Sequence, residues 1–235
     1  MSYVGGDYTC DIFVSYSHGD DGLGGAYLLP WSVAFSRELE YELRADRKYR
    51  QDLRVFLDKD HRPEQGVDPM APLTDLLRQK VGESALLVVL MSPDYLASQW
   101  CTEERDWWRA HQVKLGLPTE ERIAVVRIWP TNQEWPSLLT DARGQPLVGF
   151  LFHTQFSNQP RPLGWTDLPG PFGREFRKAL LDIIGWLSLK LDAMKARVDE
   201  LQRQQDEAAR LAQARCPFHK FATSEVGARL YGLGG

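Results

Sequence analysis

Short apolar runs alternate with longer amphipathic segments along the amino-terminal part of the chain, and that alternation predicts strands separated by helices. Within Tyr8 to Ser17, Ile12-Phe13-Val14 is rich in β-branched and aromatic side chains and ends in polar residues, the pattern of a short buried strand. Trp31, Phe35, Leu39 and Leu43 follow at intervals of four, which predicts one apolar face of a helix within Trp31 to Tyr49. Leu53 to Leu57 reads as a second strand, Leu73 to Val81 as a helix, and Ser84 to Met91 as a strand apolar enough to be buried on both faces. Ser92-Pro93 is a helix start, because serine accepts from exposed N–H groups and proline tolerates the first helical position. A further helix is expected from about Trp100 to Lys114, a fourth strand at Ile123 to Ile128 and a fifth at Leu147 to Phe152. Loops rich in Pro, Trp and Gly fill the remainder up to about Gly173.

Strands and helices in this order predict an α/β fold with a parallel sheet covered on both faces. Ligands of such sheets lie beyond the carboxyl ends of the strands, so the loops after Ser17, Leu57 and Met91 are the predicted site. From Glu175 the rhythm changes. Leu187, Leu191, Met194, Val198 and Leu201 recur at alternating steps of four and three, a coiled-coil pattern. Such a stripe either pairs with a second copy or packs back on its own domain. Cys216-Pro217 is expected to end the helix.

Composition narrows the classes. The chain has 235 residues with 28 Lys+Arg against 32 Asp+Glu, a formal charge of −4, which argues against broad electrostatic capture of nucleic acid. The longest apolar run, Ala85 to Met91, is far shorter than the roughly 18–20 residues that span a bilayer, so no membrane partner is expected. The segment Met1 to Asp7 has neither a basic nor an apolar signal region, and the three cysteines are odd in number and widely spaced; both point to a cytoplasmic protein. Cys216 and His219 lack a second ligand pair at useful spacing, so no metal site is predicted.

The densest chemistry lies in Ser92-Pro93-Asp94-Tyr95, followed by Ser98-Gln99-Trp100-Cys101-Thr102-Glu103-Glu104. Trp100 and Glu104 stand four apart on a helix and share a face. Spacing alone leaves two readings of the glutamates: a carboxylate partly desolvated beside an indole, or solvated first-turn acids favoured by the helix dipole. Cys101 reads as a small buried hydrophobe rather than a nucleophile. The pair Asp58 and Asp60 reads most simply as a solvated turn.

Three segments together resemble the Toll/interleukin-1 receptor (TIR) domain family, bacterial type. Asp11-Ile12-Phe13-Val14-Ser15-Tyr16-Ser17-His18 is similar to its first box. Val55-Phe56-Leu57-Asp58 and the loop through Gly66 are similar to its second strand and BB loop. Leu87 to Tyr95, followed by Ser98-x-Trp100-Cys101-x-x-Glu104, is similar to its third segment. The chain departs from the family in carrying Ser17 where many members have a basic residue.

The resemblance implies a flavodoxin-like three-layer sandwich with a central parallel five-stranded sheet over residues 8–187. It leaves residues 188–235 as a C-terminal helical tail and a candidate assembly element. In enzymatic members the glutamate four residues after the tryptophan is the catalytic carboxylate of an NAD⁺ glycohydrolase, which by the match is Glu104. The same match implies NAD⁺ contacts from Tyr16, Ser17, His18, Asp58, Gly66 and Trp100. NAD⁺ is then the substrate, no cofactor or metal is needed, and the products are nicotinamide with linear or cyclised ADP-ribose. The family implies activation by self-assembly, through TIR–TIR contacts and here also through the helix at 187–212, in bacterial anti-phage immunity. The alternative is a non-catalytic TIR scaffold that signals through homotypic contacts, and a third reading is a related α/β nucleoside-processing enzyme.

Overall fold

The computed structural model describes residues 2–19, 28–57, 73–117, 119, 121–156, 159–164 and 173–215. Asp58, Asp60, Gly66, Cys216 and His219 lie outside the described residues. The chain divides into two units, Met1–Met194 and Lys195–Gly235.

The first unit is built on five parallel strands: β1 (Cys10–Ser15), β2 (Val55–Leu57), β3 (Ser84–Met91), β4 (Ile123–Arg127) and β5 (Phe150–Leu151). Their order across the sheet is β2-β1-β3-β4-β5, the doubly wound flavodoxin-like order. The register pairs Ile12 with Val55, Ser15 with Val89, and Met91 with Arg127. The carboxyl ends of β1, β3 and β4 therefore lie along one edge. Every residue of β3 is buried, as its unbroken apolar run requires of a strand covered on both faces. Gly149 permits the approach of β5: its φ is +65°, and a Cβ there would stand 2.6 Å from the Val125 carbonyl oxygen.

The helices are α1 (Leu29–Ala45), α2 (Leu73–Gly82), α3 (Pro93–Ala97), α4 (Gln99–Lys114) and α5 (Arg174–Arg215). Phe13, Phe56, Leu87, Val89 and Val125 form one core cluster with Val81 of α2, Tyr95 of α3 and Cys101 and Trp108 of α4. Side chains alternate along a strand, so Ile12, Val14, Leu86, Val88 and Val126 face the opposite layer. There α1 and α5 supply Trp31, Phe35 and Phe176, which meet Phe152 edge-on at centroid distances of 6.2, 5.4 and 5.6 Å. The result is the α/β three-layer architecture expected from the alternation of elements.

One element departs from expectation. Residues expected to be loop form an antiparallel ribbon, β6 (His153–Phe156) with β7 (Gln159–Pro162). Pro160 and Pro162 lie in β7, and a two-stranded ribbon tolerates them because it has no inner strand that needs their missing N–H. The ribbon is anchored to α1 by the Trp31 indole N–H, which donates to the Leu163 carbonyl at 2.8 Å.

Two polar knots close the unit. Asp11 is fully buried and accepts backbone N–H groups from Tyr3, Val4 and Arg54 at 3.0, 2.8 and 2.7 Å. Burial pushes this carboxyl above its usual range, against the opposing pull of those three donors. Asp192 of α5 accepts from the hydroxyls of Tyr3 and Tyr49 at 2.8 and 3.1 Å and from Lys48 Nζ at 2.6 Å. Burial opposes its charge, but the bonds from Lys48, Tyr3 and Tyr49 outweigh burial and hold the carboxyl below its usual range.

Because its folded pKa is lowered, Asp192 contributes stability at neutral pH that is lost as pH falls through the acid range. The melting-temperature gap between wild type and Asp192→Asn is therefore expected at pH 7 and should narrow progressively as pH falls below the ordinary aspartate range. A gap that persists unchanged at the acid end would refute this role.

Leu187 and Leu191 are buried within the first unit, so that part of the apolar stripe belongs to the domain's own core. In the second unit the described residues are helical to Arg215, with Leu201 45% and Leu211 52% exposed. Among the described residues, no helix is long and apolar enough to cross a membrane.

Candidate functional site

Two serine caps set the site. Ser92 Oγ accepts from the Tyr95 backbone N–H at 3.1 Å and starts α3 directly after β3. Ser98 Oγ accepts from the Cys101 N–H at 3.2 Å and starts α4. Both are the Ncap arrangement that satisfies otherwise orphaned donors. From that start α4 buries Cys101, Glu104, Arg105, Trp108 and Gln112, a stripe at helical spacing. Trp108 locks the stripe to the sheet by donating its indole N–H to the Ser84 carbonyl at 2.9 Å.

Glu104 is thereby held beneath the carboxyl end of β1, with 2% of its surface exposed. Ser15, the last residue of β1, donates its hydroxyl to Glu104 Oε2 at 2.5 Å. Ser15 Oγ also lies 3.1 Å from the Tyr95 hydroxyl. A serine carries one hydroxyl proton, so once Ser15 donates to Glu104 the Tyr95 O–H is the donor in the second bond. Burial, the largest influence, pushes the Tyr95 phenol well above its usual range and keeps that proton on the oxygen. The chain of donors thus runs Tyr95 to Ser15 to Glu104.

The residues that follow β1 wrap the same corner. Tyr16 is buried, and its carbonyl accepts from the Cys101 thiol at 3.4 Å, a weak bond that suits a small buried cysteine. The Tyr16 hydroxyl lies 3.4 Å from His18 Nε2, and Ser17 Oγ accepts from the Gly19 N–H at 3.3 Å. His18 is exposed and its carbonyl accepts from the Leu28 N–H at 2.9 Å, which leads the chain into α1.

The structure thus brings Glu104, Tyr16, Ser17 and His18 to one corner of the sheet. Trp100 stands farther out on α4, 36% exposed, with its ring edge-on to Trp107 at 5.5 Å. Ser15 bonds the carboxylate directly and Tyr95 bonds Ser15; in the sequence both stand inside motifs with nothing to mark them as its partners. Residue type gives no signal for Arg105, since an arginine on an amphipathic helix is ordinarily a surface residue, yet here it is 4% exposed. Among the described residues, no cluster of His, Cys, Asp and Glu could hold a metal ion.

No protein-family model and no curated protein matches the sequence. Among solved structures, the chain is similar to the TIR domains of the activated Roq1 resistosome that directly recognizes the pathogen effector XopQ. The likeness has 21% identity, covers 50% of this chain and 56% of that one, and has a TM-score of 0.33. The chain therefore spans little more than half the length of the chain it matches. The α/β assignment stands on the strand order and register described above.

Proposed function

We propose that this chain is a TIR-type NAD⁺ glycohydrolase in which Glu104 is the catalytic carboxylate. The observation that carries the reading is the buried Glu104, fixed by the Ser15 hydroxyl at 2.5 Å at the carboxyl end of β1. That is where doubly wound sheets place their ligands. The chemistry needs one carboxylate rather than two. In NAD⁺ the nicotinamide is a cationic pyridinium, so when the bond from ribose C1′ to nitrogen breaks, the electron pair leaves on a neutral amine and no acid is required. O-glycosidases, with a poorer leaving group, need the second carboxyl. The carboxylate opposes the positive charge that develops on the ribose, and water completes the reaction at C1′ with loss of a proton.

In this reading Tyr16, Ser17 and His18 contact the dinucleotide from the β1 end, Asp58 and Gly66 contribute from the segment that follows β2 in the sequence, and Trp100 packs at the rim. NAD⁺ is the substrate and no cofactor takes part. The setting is cytoplasmic, in bacterial anti-phage immunity, and activity is switched on by self-assembly. The exposed Leu201 and Leu211 of the second unit are the surface that would be covered on assembly. Removing Lys195 onward is expected to lower oligomer size in solution scattering and nicotinamide release together. An unchanged oligomer size would remove the assembly role from this helix.

The near-complete burial of Glu104 favours a second reading, a non-catalytic TIR scaffold in which the Tyr95–Ser15–Glu104 chain only stabilises the corner. Mass spectrometry of NAD⁺ incubated with the full chain separates the two. Equal amounts of nicotinamide and linear or cyclic ADP-ribose support the enzyme, and intact NAD⁺ supports the scaffold.

A further inference from the structure

Arg105 is an unusual residue to find buried beside Glu104. A guanidinium removed from water is costly unless charge and hydrogen bonds compensate it. Among the described residues no carboxylate forms an ion pair with Arg105. Its Nη2 donates to Thr102 Oγ1 at 2.9 Å, and Thr102 in turn donates to the Ser98 carbonyl at 3.1 Å. Its Nη1 is buried with no hydrogen-bond partner. The guanidinium also faces an aromatic ring: its carbon lies 5.1 Å from the centroid of the Tyr95 ring. That ring is the one whose hydroxyl donates to Ser15, and Ser15 donates to Glu104.

We propose that Arg105 and Tyr95 are positioning residues for Glu104, acting in series through the single hydroxyl of Ser15. A cation over the face of a phenol draws electron density from the ring and strengthens its O–H as a donor. A stronger Tyr95 donor occupies a lone pair of Ser15, and so turns the one Ser15 proton toward the carboxylate. The opposite orientation, with Ser15 donating to Tyr95, would take the donor away from Glu104 and leave the Tyr95 proton to find another partner beside a cation. Arg105 thus reaches Glu104 through two hydroxyls, and Thr102 holds the guanidinium over the ring. The order of action is Arg105, Tyr95, Ser15, Glu104, and it makes a specific claim about non-additivity.

The kinetic part of this inference rests on the glycohydrolase reading, so the test has a second arm that needs no turnover. The full chain is prepared as wild type, Tyr95→Phe, Arg105→Met, Arg105→Lys and the Tyr95→Phe/Arg105→Met double variant. In NAD⁺ cleavage, each single loss is expected to lower kcat about tenfold with KM within about twofold, since a positioning group acts on the reacting carboxylate. The double variant should be no slower than Tyr95→Phe alone, because the proposed action of Arg105 on Glu104 runs through that hydroxyl. Arg105→Lys keeps the charge over the ring and should recover most of the loss.

In the second arm, the carboxylate stretch of Glu104 is isolated by infrared difference against Glu104→Gln. It should move in Arg105→Met and stay in place when Arg105→Met is added to Tyr95→Phe. A merely structural arginine would lower the melting temperature without moving this band. An unmoved band in Arg105→Met, or additive effects in the double variant, overturns the proposal. Wild-type protein inactive on NAD⁺ would refute the glycohydrolase reading, and the infrared series would still decide the positioning chain.

Discussion

Glu104→Gln is expected to lower nicotinamide release from NAD⁺ by roughly a hundred- to a thousandfold or more, the scale of losing a group aimed at charge that develops in the transition state. The substitution replaces one oxygen by an amide of nearly equal volume. Its remaining oxygen still accepts from Ser15, so the corner formed by β1, α3 and α4 keeps its hydrogen bond. Removal of the negative charge is then separated from loss of packing. The melting temperature should stay within a few degrees, because the hydrogen bond is retained and a change of about 1 kcal/mol moves the midpoint of a domain this size by roughly 2–4 °C. Glu104→Ala should be equally inactive but less stable, since it also deletes the buried acceptor of the Ser15 hydroxyl. Turnover by Glu104→Gln within about threefold of wild type, with the protein folded, would remove the carboxylate from the chemistry.

Asp11→Ala should produce the largest loss of stability from a single polar change, about 3–5 kcal/mol. Asp11 is wholly buried and serves three backbone N–H groups, and each buried donor left without a partner costs about 1–3 kcal/mol. The lower end of the summed range applies where water reaches Tyr3 and Arg54, whose bonds are only partly buried. Against a typical total of about 5–15 kcal/mol, such a loss removes a large share of the native state. Urea unfolding measures it as a lower midpoint at unchanged slope. Asp11→Asn keeps one acceptor oxygen and should fall between the two. An unfolding free energy within about 0.5 kcal/mol of wild type for Asp11→Ala would show that those N–H groups find other partners. The aspartate of the first motif therefore has a structural duty, which ties residues 3 and 4 and the start of β2 to β1.

The sheet was legible because its strands are short, continuous apolar runs. Ser84 to Met91 marks β3 residue for residue, and Ser92-Pro93 announces the start of α3, whereas the Ser98 cap of α4, expected from about Trp100, emerges only in the structure. Periodicity places a side chain on a face, but what it meets there depends on tertiary packing. Trp100 and Glu104 share a spacing of four, yet one is 36% exposed and the other 2%, because the buried stripe of α4 is centred on Cys101, Glu104, Arg105 and Trp108. The ribbon of β6 and β7 was hidden by its prolines, which ordinarily argue against a strand. The partners of Asp192 were hidden by distance: Tyr3 is 189 residues away along the chain, and no local pattern links the two. Arg105 was hidden by its residue type, since composition assigns arginine to the surface and only the fold shows it under Tyr95.

The proposed reaction is cleavage of the bond between ribose and nicotinamide in NAD⁺ by the assembled chain. Proton NMR of NAD⁺ mixed with the protein follows it directly, because the pyridinium and free nicotinamide rings give separate signals. Free nicotinamide is expected to grow in as NAD⁺ declines, in equal amounts and at a rate proportional to assembled protein. An unchanged NAD⁺ spectrum, with the chain folded and oligomeric, would contradict it.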